Sequence, residues 1–164
     1  MFDRFGEFDS AKGINETAVN LRREGDNDSI YALARENGID REMVDAFVAG
    51  DILYICDAMS AAIGKISVEE QELKPKEIMA DWTEYIRSEA FEDESMAIAV
   101  RRKGKSLKGC IAEILKWAFA HQTEISPEIV RAAGVKAGKV TLGEPGMATA
   151  KQIIRQYYKG EAAK

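Results

Sequence analysis

The sequence predicts an all-α fold, a compact bundle of about eight or nine short helices with no substantial sheet. Apolar residues recur at three- and four-residue intervals through most of the chain, which is the spacing of one helix face. Between these segments lie Gly, Asp, Ser and Pro, at positions where helices usually begin and end. The alternation typical of a strand is confined to Ile66 and Val68, which is too short to predict one. A chain of 164 residues with 46% hydrophobic content suits one domain, or two small ones that share a core.

The N-terminal part, residues 1–64, is predicted to be an acidic unit of four helices. Phe2, Phe5 and Phe8 precede the first helix at three-residue spacing, which suggests a short anchoring turn. The predicted helices cover residues 10–23, 29–37, 40–49 and 52–63, and the last three end at Gly38, Gly50 and Gly64. The polar residues 65–75 are predicted to form a connector.

The C-terminal part, residues 76–164, is predicted to fold around a central helix at residues 106–121 and to share its core with the N-terminal part. One face of this helix combines Leu107, Cys110, Ile111, Ile114, Leu115 and Ala118. We expect Leu115 to be fully enclosed, so that its replacement by Ala costs about 2–5 kcal/mol. The glycine-rich residues 134–146 are predicted to be a loop. The other helices predicted in this part cover residues 76–90, 95–103, 127–133 and 147–159.

The formal net charge of −5 conceals two halves of opposite sign. Residues 1–100 contain 10 Lys and Arg against 23 Asp and Glu, a net −13, whereas residues 101–164 contain 13 against 5, a net +8. Such asymmetry indicates interaction with a charged partner. The alternative is that the two halves neutralise each other within one fold.

The basic half contains two concentrations of cationic side chains. The first lies directly before and at the start of the central helix and comprises Arg101, Arg102, Lys103, Lys105 and Lys108. The second recurs every four residues along the last helix and comprises Lys151, Arg155 and Lys159, with Tyr158 beside it. Arginine with a nearby aromatic ring suits contact with phosphates and bases. These residues are therefore candidates for binding nucleic acid or a protein partner; the alternative is a solvated face that balances the acidic half.

Residues 29–49 have the spacing of a helix-turn-helix, with Ala34, Gly38 and Val44 at its usual small, glycine and aliphatic positions. DNA affinity, however, comes largely from Lys and Arg side chains that neutralise phosphates. This segment and the turn before it are rich in carboxylates instead, namely Asp26, Asp28, Asp40, Glu42 and Asp45. A row of carboxylates repels a duplex, so a structural hairpin is favoured and these five residues are candidates for binding a cationic partner.

Catalysis and metal binding have little support in the sequence. His121 is the only histidine and lies at a predicted helix end, where interaction with the helix C-terminus explains it. No metal-ligand spacing such as C-x-x-C occurs, and the glycine-rich loop fails the P-loop pattern because Val140 replaces the hydroxyl residue. Cys56 and Cys110 lie in apolar helical settings, which predicts two reduced, buried thiols. We expect a non-enzymatic, cytoplasmic protein that needs no cofactor or metal and has no signal peptide or membrane span.

Four segments of the chain share a pattern with known proteins: FDSAKGINETA (8–18), LARENGIDREMVDAFVAGDI (33–52), AVRRKGKSLKGCIAEILKWAF (99–119) and ATAKQIIRQYYKG (148–160). Together they resemble small proteins encoded by phages, plasmids and conjugative elements of gut Firmicutes, over nearly the whole chain. Lys105-Ser106-Leu107, Cys110 and the Tyr157-Tyr158 pair are also similar to the PcfK-like accessory proteins of conjugative systems. One functional class among small acidic proteins of this kind is the anti-CRISPR inhibitors, especially those acting on the single-effector RNA-guided nuclease.

The leading hypothesis is therefore a non-enzymatic, all-helical binding protein of a mobile element, which the resemblance implies to be an inhibitor of a CRISPR nuclease. Such a nuclease presents a positively charged nucleic-acid channel that an acidic helical surface can occupy. The alternative is a nucleic-acid-binding accessory or regulatory protein that uses the basic half. A generic structural or dimerisation protein is the third hypothesis.

Overall fold

The computed structural model describes residues 4–160, and within them it confirms the all-α prediction. These residues form nine helices and two strands of two residues each. In chain order they are α1 (Ala11–Glu24), α2 (Asn27–Asn37), α3 (Arg41–Ala49), α4 (Ala58–Leu73), α5 (Ile78–Glu92), α6 (Glu94–Arg101), α7 (Leu107–Ala120), β1 (Thr123–Glu124), α8 (Pro127–Ala132), β2 (Thr141–Leu142) and α9 (Met147–Lys159). Most helices begin and end within a few residues of the predicted positions, because capping side chains mark the ends, such as Ser10 for α1 and Ser106 for α7.

The core consists of two clusters of buried side chains that adjoin on α4. The first is built from α1, α2, α3 and the segment that leads into α4; the second is built from α4 to α7 and α9. α4 contributes Ala61 to the first cluster and Ala62 and Ile66 to the second. Phe5 and Phe8 are half-buried against the first cluster, as the predicted anchoring turn requires, whereas Phe2 lies outside the described residues. The helix on which the two parts meet is therefore α4.

The predicted connector at residues 65–75 is wrong for most of its length, because α4 continues to Leu73. Lys65 and Glu69 are buried on the side of α4 that carries Ile66, so a helix with polar residues facing inward was mistaken for a polar loop. α4 also begins later than predicted. The residues before it run along α1, where Asn15 accepts a hydrogen bond from the Ile55 amide (3.0 Å) and donates one to the Cys56 carbonyl (2.8 Å).

Two glycines allow the end of α2 to approach α4. Gly38 ends α2 with φ of 68°, and the backbone of Gly64 lies directly against it. A methyl group on either residue would overlap the backbone of the other. Gly64 was predicted to end a helix, but it lies within α4 and serves this close contact instead.

α7 occupies the predicted central helix but is covered on one side only. Leu107, Cys110 and Ile114 are buried, while Leu115 is 55% exposed, so the prediction that Leu115 is enclosed is wrong. The reason is that α7 packs against α4 and α9, and no described element covers its outer side. The periodic apolar pattern was broader than the face that the fold buries.

The loop predicted at residues 134–146 contains β2, which pairs antiparallel with β1. Thr123 is opposite Leu142 and Glu124 is opposite Thr141. Gln122 joins this small sheet to α7, because its side chain donates to the Ala118 carbonyl (2.9 Å) and accepts from the Thr141 hydroxyl (2.9 Å). This pairing is the only departure from helix among the described elements.

Candidate binding surfaces

The predicted basic patch at residues 101–108 is only partly present at the surface. Arg101 is 1% exposed and turns inward, donating hydrogen bonds to the Ala61 carbonyl (3.2 Å) and to the side-chain oxygen of Asn37. Its Nε has no hydrogen-bond partner in the described part of the chain. Burial lowers the pKa of the Arg101 guanidinium to about 10, against the opposing influence of nearby acidic groups. The assignment of Arg101 to an exposed binding patch is therefore wrong.

Lys105 is half-buried and its charge is engaged within the fold. Its Nζ donates to the Tyr157 carbonyl (2.7 Å) and lies 4.6 Å from the centroid of the Tyr157 ring. Its own carbonyl accepts a hydrogen bond from Lys65 Nζ (2.6 Å). Three cations of the predicted patch remain exposed: Arg102, Lys103 and Lys108.

The second cationic stripe, on α9, faces the acidic side chains of α5 and α6. Arg155 donates two hydrogen bonds to Glu89 (3.2 and 3.1 Å), and Lys159 binds Asp93 (2.9 Å). Lys151 Nζ lies 4.8 Å from the centroid of the Tyr85 ring. Hydrogen bonds from Ser95 and Lys159 lower the pKa of Asp93 to about 2, while Glu89 raises the pKa of Arg155. On this stripe the opposite charges of the two halves neutralise each other within one fold.

The five carboxylates predicted for an acidic surface have different roles in the α2–α3 hairpin. Asp26 caps α2 by accepting from the Ser29 amide (3.1 Å), and hydrogen bonds from Ser29 lower the pKa of Asp26. Asp40 caps α3 by accepting from the Glu42 amide (3.1 Å). Asp45 accepts a hydrogen bond from Tyr31 and lies 3.9 Å from Arg41 Nε. The two that remain, Asp28 and Glu42, are exposed and have no ion pair within the described residues.

The resemblance of this hairpin to a helix-turn-helix extends to its packing. Ala34, Ile39 and Val44 are buried, and Gly38 forms the turn. The outward residues of α3 include Arg41, Glu42, Met43 and Asp45. A surface with one arginine and two carboxylates is a poor match for the phosphates of a duplex.

A more uniform acidic surface lies on the outer face of α5. Asp81, Glu84, Ser88, Phe91 and Glu92 recur at helical spacing and are all exposed, so they share one side of the helix. Neither α5 nor α6 has an exposed Lys or Arg. Glu84 lies 3.4 Å from the half-buried Arg87, but Asp81 and Glu92 have no ion pair among the residues that the structure describes.

The sequence alone does not reveal this surface, because carboxylates are abundant between residues 69 and 94 and their number does not distinguish a binding face from an ordinary solvated one. The three- and four-residue spacing of Asp81, Glu84, Ser88 and Glu92 was available in the sequence. That spacing becomes informative once α5 is known to bury its opposite side, with Trp82, Ile86 and Ala90.

Features associated with catalysis are sparse in the described residues. The His121 ring stacks on Trp117, with centroids 4.2 Å apart, and its Nδ1 lies 2.8 Å from the Trp117 carbonyl at the end of α7, as the helix-terminus interpretation predicts. No group of three or more His, Cys, Asp or Glu in residues 4–160 is arranged to hold a metal ion. Cys56 and Cys110 are free and buried, and burial raises their pKa values to about 11 and about 12.

Two further observations concern ligands and membranes. An open groove of about 690 Å³ runs between one face of α1 and Tyr54, and its lining includes Lys12 and Glu16, which pair with each other at 3.6 Å. The lining of the groove contains no histidine or cysteine.

None of the described helices is both long enough and apolar enough to cross a membrane.

Comparison with known proteins gives no match: no family model, no curated protein and no solved structure is significantly similar to this chain.

Proposed function

We propose that this chain is a non-enzymatic binding protein of a mobile genetic element, and specifically an anti-CRISPR protein. In this proposal it acts in the cytoplasm, binds an RNA-guided nuclease of the single-effector type and blocks target DNA binding or cleavage. The observation that favours it is the asymmetry between the two sets of charges. On α9, Arg155 and Lys159 are paired with Glu89 and Asp93, whereas the carboxylates on the outer face of α5 point to solvent without exposed cations on α5 or α6.

A nuclease of this kind holds its guide–target duplex in a positively charged channel. A rigid helix that presents carboxylates to that channel gains from charge complementarity and from electrostatic steering. It also competes with target DNA for the same Lys and Arg side chains. The origin in a mobile element that the sequence pattern leads us to expect fits this mode of action, and the described residues offer no arrangement that favours an enzyme over a binding protein.

The test is DNA cleavage by a purified, guide-loaded type II nuclease, with the protein added before or after the target. We expect inhibition when it is added first, little inhibition once the heteroduplex has formed, and weaker inhibition as salt rises. Full cleavage at saturating protein across several nuclease orthologues would remove the proposal.

Two sets of neutralising substitutions locate the acidic surface that matters. The first, Asp81→Asn with Glu92→Gln, neutralises the two carboxylates on the outer face of α5 that have no ion pair among the described residues. The second, Asp28→Asn with Glu42→Gln, neutralises the exposed carboxylates of the hairpin and leaves the caps Asp26 and Asp40 intact. We expect the first set to weaken inhibition more, because the hairpin also exposes Arg35 and Arg41.

The second candidate function is nucleic-acid binding, which is favoured by the exposed cations Arg102, Lys103 and Lys108. If they contact phosphates, their joint replacement by Glu should abolish binding of DNA by the protein alone and flatten its salt dependence. Replacing the exposed Arg23, Lys74 and Lys76 by Glu is the matched control for total charge. An equal loss of DNA binding in both variants would show that these three cations do not contact phosphates.

A further inference from the structure

Phe91 stands out on the acidic outer face of α5. Its side chain is 66% exposed in the last turn of the helix, beside Ser88 and Glu92. Other exposed apolar residues on α7, such as Leu115 and Phe119, lie near charges of both signs, because Lys116 pairs with Glu113 on the same helix. On α5 and α6 themselves the exposed charged residues around Phe91 are all carboxylates. The two cations that α9 places near them are engaged in pairs, Arg155 with Glu89 and Lys159 with Asp93.

The backbone that presents Phe91 is held from two sides. Ala90, immediately before it, is buried in the second core cluster. Two residues after it, Asp93 ends α5 and caps α6, where its side chain accepts from the Ser95 amide (2.8 Å) and from Lys159 (2.9 Å). The backbone at Phe91 is therefore ordered before a partner binds, so binding need only fix the two torsions of the side chain, which lowers the entropy cost of using Phe91 as an anchor.

Exposed acidic and apolar residues also follow Asp93, at the start of α6. Glu94 and Ser95 begin α6, and Ile98 follows at helical spacing with 47% exposure. The exposed residues of α5 and α6 thus include two apolar side chains, Phe91 and Ile98, with carboxylates before and after the bend. Its complement is an apolar recess with a rim of Lys and Arg side chains.

We infer that Phe91 is the apolar anchor of the docking surface and inserts between cationic side chains of the partner. The inference rests on the proposed function and specifies the partner's side of the contact: a Lys- and Arg-lined groove, one that otherwise holds a nucleic-acid backbone, with an apolar recess. Aromatic side chains at the centre of an interface supply much of its binding energy and slow dissociation, whereas the charges around them set the rate of association and its salt dependence.

Phe91 and the carboxylates should therefore affect different rate constants, and binding kinetics with guide-loaded type II nuclease as the probe test this. Phe91→Ala should weaken binding by about 10-fold or more, mostly through faster dissociation, with the salt dependence of association unchanged. The α5 carboxylate variant should instead slow association and flatten its salt dependence. Phe119→Ala is the matched control, since Phe119 is 75% exposed on α7, and it should bind like the wild type.

Each result decides between the inference and the proposal on which it rests. If the wild-type protein neither binds nor inhibits any nuclease, the proposed function and this inference both fail. If the wild type binds and inhibits but Phe91→Ala dissociates no faster than Phe119→Ala, the inference alone fails. Sedimentation velocity adds one more outcome. If Phe91→Ala converts a wild-type dimer to monomer and leaves inhibition unchanged, the surface joins two copies of this chain, and the inference is overturned.

Discussion

The junction between the two core clusters and the outer face of α5 use charged side chains in opposite ways. At the junction, Lys65 and Arg101 are each 1% exposed. Lys65 binds Glu7 at 3.1 Å, but Arg101 donates to the Ala61 carbonyl and the Asn37 side chain and forms no ion pair with a carboxylate in residues 4–160. On α5, in contrast, Asp81 and Glu92 are exposed and have no ion pair among the described residues.

The difference shows that net charge along the chain does not measure the charge available to a partner. Arg101 and Arg102 are adjacent in sequence, yet the first holds the two clusters together and the second faces solvent. The third buried charge at the junction, Glu69, accepts from the Leu107 amide (2.7 Å), and burial raises its pKa. Polar groups at the junction therefore hold the helices in their arrangement, while those on α5 remain exposed at the surface.

The largest effect that follows from this comparison is on stability. Arg101→Ala should lower the free energy of unfolding by about 3–5 kcal/mol, because it leaves a large cavity and removes the donor for Asn37 and the Ala61 carbonyl. Urea denaturation followed by circular dichroism measures the change. Arg102→Ala is the matched control and should lie within about 0.5 kcal/mol of the wild type. Equal effects in the two variants would mean that Arg101 does not join the clusters as described.

The sequence was sufficient for the helices whose caps and apolar periodicity agree, and the last helix was predicted with its observed bounds, residues 147–159. It failed where a polar residue faces inward. Lys65 and Glu69 made α4 resemble a loop, and Arg101 was assigned to a surface, because spacing alone does not reveal which neighbour satisfies a charge. The pairing of Arg155 with Glu89 spans 66 residues of sequence and depends on the tertiary fold.

Neighbouring apolar side chains on α7 likewise differ in whether they are buried or exposed. Ile114 is fully buried and its neighbour Leu115 is 55% exposed. Ile114→Ala should cost about 2–4 kcal/mol in unfolding free energy, whereas Leu115→Ala should cost less than about 1 kcal/mol. Thermal and urea unfolding of the two variants gives the comparison directly. A large loss for Leu115→Ala would show that another surface covers this side of α7 in solution.

The smallest effect concerns Asp93, which lies between the two kinds of region because it is partly exposed and yet paired with Lys159. Hydrogen bonds from Ser95 and Lys159 lower the pKa of Asp93 in the folded protein from 3.8 to about 2. A carboxyl whose folded pKa is depressed contributes stability above its unfolded pKa and loses it as pH falls from about 4 towards 2. Asn caps helices as well as Asp does, so Asp93→Asn keeps the bond to the Ser95 amide and removes the charge that binds Lys159. The variant should therefore be less stable than the wild type at neutral pH, and the difference should shrink as the pH approaches 2. Unfolding in urea at a series of pH values measures this convergence, with Asp81→Asn as the control for the loss of one exposed carboxylate. A difference that stays constant across the acid range would show that the pairing between the acidic and basic halves at this corner contributes nothing to stability.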